Sequence, residues 1–161
     1  MTAKTLKPYP KYKDSGVSWI GMVPREWEVK FLQQVAKEKC IKNKNNIINV
    51  VLSLSYGNII LKADINQGLS PKDYATYQIV NPGDIILRLT DLQNDHRSLR
   101  TGLVKNLGII TSAYLCLSTS ENSSYLHYLL HTVDILKLFY GMGAGVRQSM
   151  NFDDLRHFSI P

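Results

Sequence analysis

The chain has 161 residues, enough for one domain with a sizeable hydrophobic core. Hydrophobic residues make up 44% and charged residues 20%, values ordinary for a folded soluble protein, and no apolar run is long enough to cross a bilayer. The net charge of +6 favours a polyanionic partner such as nucleic acid, although a basic surface can also serve solubility alone.

Cys40 and Cys116 lie too far apart in the sequence to suggest a disulfide framework or a metal-ligand pair. The N-terminus has no apolar segment typical of a secretory signal. These features predict a cytoplasmic protein.

The first part of the chain predicts strands. Residues 1–22 are rich in Lys, Tyr and Pro and predict an arm on the surface of a single domain, which occupies residues 23–161. A β-hairpin is predicted over residues 48–64, where two β-branched runs flank Tyr56-Gly57-Asn58. A Pro-Gly turn followed by a strand is predicted over residues 79–92, and a second hairpin over residues 101–118.

The last part predicts helices. A long helix is expected over about 122–140, with Asn122 or Ser123 as its cap and an apolar stripe at helical spacing. A short C-terminal helix is expected over about 152–157, with Asn151 at its N-cap. Strands followed by a helix predict an α+β fold with a mostly antiparallel, twisted sheet.

The stretch "YGMGAGVRQSMNFDDL" has three glycines at alternate positions but fits no nucleotide-binding motif. Its glycines follow a helix, and no Gly-Lys-Ser/Thr ending is present. We expect Gly141 to end the long helix with a positive φ and residues 142–150 to form an exposed loop. Arg147, Gln148 and Ser149 could then contact bases and phosphates, or could bond to carbonyls inside the domain.

Two groups of residues bear on catalysis. His127 and His131 are spaced to share a helix face, but the glutamate of a zinc-protease motif is missing, so two ordinary helix histidines are favoured. Glu28 and Lys30 resemble the end of a nuclease motif without a nearby aspartate partner. We therefore predict a chain with no catalytic residue and no bound metal, and keep a metal-dependent nuclease as an alternative.

Polar and cationic side chains cluster in the predicted loops, and this mixture suits base contacts together with phosphate anchoring. The predicted DNA-binding residues are Lys42, Asn43, Lys44, Arg88, Gln93, Asn94, His96, Arg97, Arg100, Arg147, Gln148 and Ser149. An RNA ligand is less favoured because no aromatic RNA-binding motif lies on a predicted strand.

Three stretches together resemble one protein family. They are "YPKYKDSGVSWIGMVPREWEVKFLQQV", "VNPGDIILRLT" and "GMGAGVRQSMNFDDLRHFSIP", and the resemblance extends over essentially the whole chain. They resemble the target recognition domain of a type I restriction-modification specificity subunit. Such a subunit carries two recognition domains, each of which binds one half of a split DNA sequence, and long helices separate them.

The resemblance also implies partners. The specificity subunit is itself non-catalytic, and it binds methyltransferase (M) subunits and, through them, an ATP-dependent restriction (R) subunit. S-adenosylmethionine, ATP and Mg²⁺ would belong to those partners, so we expect no cofactor in this chain. Family members continue beyond the point matching Pro161 into a spacer helix and a second recognition domain, which are absent from this sequence. A truncated subunit that acts as a protein-interaction or regulatory module is therefore the leading alternative.

Overall fold

Short antiparallel strands and one longer helix make up the structure. The computed structural model describes residues 7–62, 73–142 and 148–161. The predicted α+β class is confirmed. In these three ranges, no helix has both the length and the apolar character that a bilayer span requires.

The strands are β1 (Tyr12–Asp14), β2 (Met22–Pro24), β3 (Lys30–Phe31), β4 (Ala36–Glu38), β5 (Ile41–Lys42), β6 (Leu52–Ser55), β7 (Asn58–Leu61), β8 (Gln78–Val80), β9 (Ile85–Leu87), β10 (Thr101–Leu103), β11 (Gly108–Ile110), β12 (Leu115–Thr119) and β13 (Ser159–Ile160). The helices are α1 (Leu32–Val35), α2 (Ser123–Ile135) and α3 (Phe152–Leu155), with 3₁₀ turns at Lys44–Asn46 and Leu138–Gly141.

Two antiparallel sheets organise the domain. One has the order β10-β9-β12-β4 and the other the order β11-β8-β5. The chain passes from β8 in the second sheet to β9 in the first through the predicted turn at Pro82-Gly83, where Gly83 has a φ of 94°. This crossing places β9 at the centre of the fold.

The side chains of β9 alternate between two hydrophobic clusters, as a strand that is buried on both faces requires. Ile85 and Leu87 pack in the cluster that includes Leu130 and Val133 of α2. Ile86 packs in a second cluster together with strand residues of the other sheet. The strand predicted after the Pro-Gly turn is therefore buried on both of its faces.

The first predicted hairpin is present as β6 and β7, with Ser55 opposite Asn58. Its two turn residues, Tyr56 and Gly57, have φ values of 45° and 76°. Positive φ at both positions is the requirement of the tight turn whose twist suits a two-residue hairpin. The hairpin packs closely on the sheets, since an added Cβ at Gly108 would lie 2.7 Å from Leu52 Cδ1.

The second predicted hairpin, over residues 101–118, is wrong. β10 pairs with β9, whereas β11 pairs with β8 in the other sheet, and β12 pairs with β9 and β4. The reason is that β9 is buried along its whole length and needs a hydrogen-bonding neighbour at each edge. β10 and β12 fill those two edges, which leaves β11 to extend the other sheet.

Helix α2 begins as predicted but ends earlier. The side chain of Asn122 accepts a hydrogen bond from the backbone N–H of Tyr125 at 3.0 Å. The helix ends at Ile135, and Lys137, not Gly141, takes the left-handed conformation, with a φ of 60°. This early end allows the following 3₁₀ turn to bury Phe139 in the core, so the long helix predicted over 122–140 was too long.

The short C-terminal helix is confirmed as α3. Its N-cap, Asn151, accepts a hydrogen bond from the backbone N–H of Asp154, and the Asp154 carboxylate accepts one from the backbone N–H of Asn151. This reciprocal pair is a capping box. It fixes the chain just after the segment in which Gln148 and Ser149 lie.

Candidate nucleic-acid interface

The segment from Arg88 to Arg100 follows β9 and is held from the inside by the side chain of Arg100. That side chain has 0% exposure. Its guanidinium donates to the backbone carbonyls of Arg88 and Thr90, both at 2.9 Å, and to those of Asp91 and Asp95. A guanidinium buried at this depth therefore sets the backbone path of the segment around it.

The fifth N–H donor of Arg100 also finds an acceptor, and two carboxylates lie close to this residue. Its Nε donates to the hydroxyl of Tyr140 at 3.1 Å, so all five N–H donors of the side chain are used. The carboxylate of Asp95 lies 4.0 Å from the guanidinium and 3.5 Å from that of Arg88. The buried carboxylate of Asp134 accepts from the backbone N–H of Arg100. The burial of a cation is thus balanced by a complete set of acceptors.

Two carboxyl groups beside Arg100 have shifted pKa values of opposite sign. Hydrogen bonds from the hydroxyl and backbone N–H of Ser98 lower the pKa of Asp95 from 3.8 to about 2, with smaller contributions that include the charge of Arg100. Burial raises the pKa of Asp134 above its ordinary value, against the opposing effect of its hydrogen bond from Arg100. Asp95 is therefore ionised at neutral pH, and its carboxylate pairs with the guanidinium groups of Arg88 and Arg100.

The outer side of this loop carries four of the predicted DNA-binding residues. Gln93, Asn94, His96 and Arg97 are all exposed. Asn94 donates to the Asp91 carboxylate at 2.7 Å, which uses part of its amide inside the loop. In the described part of the chain, no hydrogen bond or ion pair occupies the guanidinium of Arg97. The loop therefore presents amide, imidazole and guanidinium groups to solvent on a backbone that Arg100 fixes.

Tyr140 connects this loop with the end of α2. Its hydroxyl donates to the backbone carbonyl of Asp95 at 2.9 Å, and its ring stacks on the imidazole of His96. The ammonium group of Lys137 lies 5.1 Å from the centre of the Tyr140 ring. Lys137 thus adds a cation beside the loop, and its position results from the early end of α2.

The predicted 142–150 loop is only partly described, and Arg147 lies outside the described residues. Ser149 is exposed, Gln148 is half-buried with a φ of 48°, and Met150 is buried. The backbone N–H of Met150 donates to the carbonyl of Leu89 at 2.9 Å. This bond brings Gln148 and Ser149 beside the strand end from which the Arg88–Arg100 loop starts.

The third predicted cluster, at residues 42–44, lies in the other sheet. Asn43 is buried, and its side chain bonds both to the backbone N–H and to the carbonyl of Ile48. Lys42 and Lys44 are exposed, and Lys42 donates to the carbonyl of Thr76 at 3.3 Å. Asn43 therefore holds a turn, and only the two lysines of this cluster face solvent.

Burial corrects two of the predicted contacts. Asn43 and Arg100 were expected in exposed polar loops, but each is fully buried and uses its polar atoms within the domain. From the sequence alone, a polar loop residue that points into the domain cannot be distinguished from one that faces solvent. Conversely, Tyr140 and Lys137 lie beside the Arg88–Arg100 loop, although both fall within the helix predicted over 122–140, whose apolar spacing Tyr140 continues.

The two histidines of α2 pack against each other, with ring centres 5.9 Å apart. Nδ1 of His131 lies 3.1 Å from the hydroxyl oxygen of Thr101. Burial, and the neighbouring His131, lower the pKa of His127. Across residues 7–62, 73–142 and 148–161, no group of three or more His, Cys, Asp or Glu side chains is arranged to hold a metal ion.

The structure thus defines a small, basic α+β domain in which a buried arginine supports a polar, cationic loop. This fold occurs in solved structures. The chain is similar to a crystal structure of the HsdS subunit from Thermoanaerobacter tengcongensis, with 14% identity and a TM-score of 0.50, over 93% of this chain and 35% of that one.

A second similar chain comes from a structural study of complex assembly and conformational transition of the type I R-M system. It has 13% identity and a TM-score of 0.53, over 92% of this chain and 36% of that one. The chain therefore spans about a third of the length of both solved chains, and the likeness shows a shared fold. The sequence matches no protein-family model and no curated protein.

Proposed function

We propose that the chain is a DNA target recognition domain of a type I restriction-modification specificity subunit and that it binds one half of a split target sequence. The observation that carries this proposal is the loop clamped by Arg100, which presents Gln93, His96 and Arg97 to solvent. Amide and guanidinium groups form paired hydrogen bonds with adenine and guanine edges, respectively. The fold shared with an HsdS subunit supports the same function.

The proposed DNA surface has a centre and a second, separate set of lysines. The centre consists of Arg88, Gln93, Asn94, His96, Arg97, Lys137, Gln148 and Ser149, to which Arg147 is added from its place in the sequence. Lys42 and Lys44 provide additional positive charge on the other sheet, suited to phosphates. Arg100 and Asn43 act from inside, as supports.

The chain itself is proposed to be non-catalytic, and methylation and restriction are proposed to belong to M and R partner subunits. Exposed apolar side chains on and just after α2 support a protein partner, since Tyr128, Ile135 and Leu136 are 68%, 56% and 52% exposed. Apolar residues that a domain leaves exposed together often mark an interaction surface.

Binding to duplex DNA over a series of salt concentrations tests the proposal. A single module of this kind is expected to bind with a Kd of about 10⁻⁴–10⁻⁶ M at physiological salt and to lose affinity steeply as salt rises. A flat salt profile would contradict charge-driven binding. Incubation of the purified chain and duplex with S-adenosylmethionine, or with Mg²⁺, should give neither methyl transfer nor cleavage.

Sequence preference is tested in the complex reconstituted with M subunits. If Arg147 or Gln148 contacts a base, Arg147→Ala or Gln148→Ala should relax preference at one position of the half-site. A phosphate contact would instead weaken all sequences about equally. Unchanged affinity and preference in both variants would remove this segment from the DNA surface and leave the Arg88–Arg100 loop as the contact.

A further inference from the structure

A cavity of about 480 Å³ lies at the N-terminal end of α2, where segments from both ends of the chain meet. Its walls are apolar and include the side chains of Trp27, Val35 and Tyr125. The rings of Trp27 and Tyr125 meet edge to face, with centres 6.0 Å apart. A cavity of this volume is large enough to take one or two amino-acid side chains.

The rim of the cavity is acidic in a protein whose net charge is +6. Among the described residues that line it, Glu26, Glu28 and Glu121 are acidic and exposed, and Lys30 is the one cation. Within the described ranges, none of these carboxylates takes part in an ion pair. The local charge is therefore opposite to that of the whole molecule and repels a phosphate backbone.

An apolar centre bordered by charged groups is the usual arrangement of a protein-binding surface. We propose that this cavity, which we term the Trp27 pocket, binds a segment of a partner protein that presents an apolar side chain next to an arginine or lysine. The apolar side chain would contact Trp27 and Tyr125, and the cation would lie among the rim carboxylates. Charge complementarity with the glutamates determines the choice of partner.

The Trp27 pocket and the proposed DNA surface can be occupied together because they lie at opposite ends of α2. Asn122 and Tyr125, at the start of the helix, line the pocket, whereas Lys137 and Tyr140 follow its end and contact the Arg88–Arg100 loop. The helix has 13 residues, which corresponds to a length of about 20 Å. The pocket therefore adds a second binding function to the domain, separate from DNA recognition.

The chain contains two tryptophans, which provide a test with an internal control. Trp19 stacks on Phe158 with ring centres 5.3 Å apart and does not line the pocket. In ¹⁵N-labelled protein, the two indole N–H signals can be followed during titration with a blocked Ala-Leu-Arg-Ala peptide. We expect the Trp27 signal to shift to saturation and the Trp19 signal to stay in place.

Two altered peptides separate the parts of the proposal. Replacement of the peptide's arginine by citrulline keeps its size but removes its charge, and replacement of its leucine by alanine removes the apolar anchor. Each should weaken binding about fivefold or more. Equal binding of the citrulline peptide, or a shift of both indole signals together, would overturn the proposal.

Variants of the rim provide the second test, and they are expected to fold because the residues are exposed. Glu28→Gln and Glu121→Gln should each weaken the Ala-Leu-Arg-Ala peptide about two- to fivefold, as exposed ion pairs contribute modestly. Glu38→Gln, at an exposed glutamate of β4 that does not line the pocket, should leave binding unchanged. Equal effects of all three substitutions would contradict a specific role of the rim.

Duplex DNA distinguishes this pocket from the nucleic-acid surface. At low salt, DNA should leave the Trp27 indole signal in place, and it should still bind the Glu28→Gln protein. A shift of the Trp27 signal by DNA would assign the pocket to nucleic acid and overturn the proposal. A failure of DNA binding alone would leave the peptide result intact.

Discussion

The imidazole of His96 lies stacked on the ring of Tyr140, with ring centres 4.6 Å apart and planes inclined by 21°. Nε2 of the same imidazole lies 2.7 Å from the backbone carbonyl of Gln93. An exposed side chain held at two points loses little further freedom when it meets a ligand, so part of the cost of ordering is met by folding. His96 is thus positioned by the fold itself, before any ligand binds.

Replacement of Arg100 tests whether its buried guanidinium fixes the backbone of the Arg88–Arg100 loop. Arg100→Ala removes a buried cation and one donor from each of four part-buried carbonyls, so we expect a loss of about 3 kcal/mol or more in the free energy of unfolding. Arg100→Lys should recover only part of this loss, since an ammonium group cannot reproduce the planar fork. Urea denaturation measures both variants. The exposed Arg97→Ala should change stability by less than about 0.5 kcal/mol. Similar losses of stability in the Arg97 and Arg100 variants would contradict this role of Arg100.

Replacement of Arg97 tests the outer side of the loop. Arg97→Ala should lower the slope of log Kd against log salt by about one unit if the guanidinium binds a phosphate, and should relax one base preference if it binds a base. The measurement is fluorescence anisotropy with labelled duplexes of differing sequence. Lys37→Ala, at an exposed lysine of β4, is the matched control of equal charge change. Equal responses of the two variants would indicate only a general effect of net charge.

The pKa of Asp95 predicts a pH dependence of stability. Its folded value of about 2 lies below the ordinary value of 3.8, so ionised Asp95 stabilises the fold above about pH 4. That contribution is lost as the pH falls from about 4 to about 2. The raised pKa of Asp134 acts in the opposite sense, because protonation of that buried carboxyl favours the folded state.

The contribution of Asp95 is therefore measured as a difference. Urea denaturation of the wild type and of Asp95→Asn between pH 2 and pH 6 should show a stability gap that is constant above about pH 4 and narrows below it. A gap that stays constant down to pH 2 would show that Asp95 is not the group responsible.

Gly108 allows the β6–β7 hairpin to lie against β11. An alanine Cβ at this position would lie 2.8 Å from the backbone oxygen of Val50, which is held in place by a hydrogen bond from the backbone N–H of Ile109. Gly108→Ala should therefore destabilise the protein by about 1–3 kcal/mol, the usual cost of overpacking. Gly141→Ala is the matched control, because there an added Cβ meets no described atom within 4 Å and φ is not positive. Thermal denaturation should show a clearly lower Tm for the first variant only.

Local chemistry allowed much of the fold to be predicted. Tyr56-Gly57-Asn58 marked a tight turn, and Asn122 and Asn151 marked helix starts, because each of these effects depends on residues only a few positions apart. Strand pairing over residues 101–118 could not be obtained in this way. β10 and β11 are close in sequence, yet their partners are set by the burial of β9, which is a property of the whole domain.

The candidate site was predicted in its composition and not in its geometry. The sequence shows a polar, cationic segment at residues 93–100, and four of its side chains do face solvent. Only the folded structure shows that Arg100 points inward, since its acceptors are backbone carbonyls that every sequence possesses. The part played by Tyr140 depends on the end of α2 at Ile135, five residues before the apolar periodicity stops.

The Arg100 guanidinium donates to four backbone carbonyls, so these four bonds do not depend on the identity of the side chains at positions 93, 96 and 97. Exchange of the exposed residues at positions 93, 96 and 97 should alter the chemistry of the surface while the backbone beneath it keeps its shape. If the loop binds DNA as proposed, its sequence preference can change without a change of fold. A library that varies those three positions and retains Arg100, Asp95 and Tyr140 should yield mostly folded proteins with different specificities.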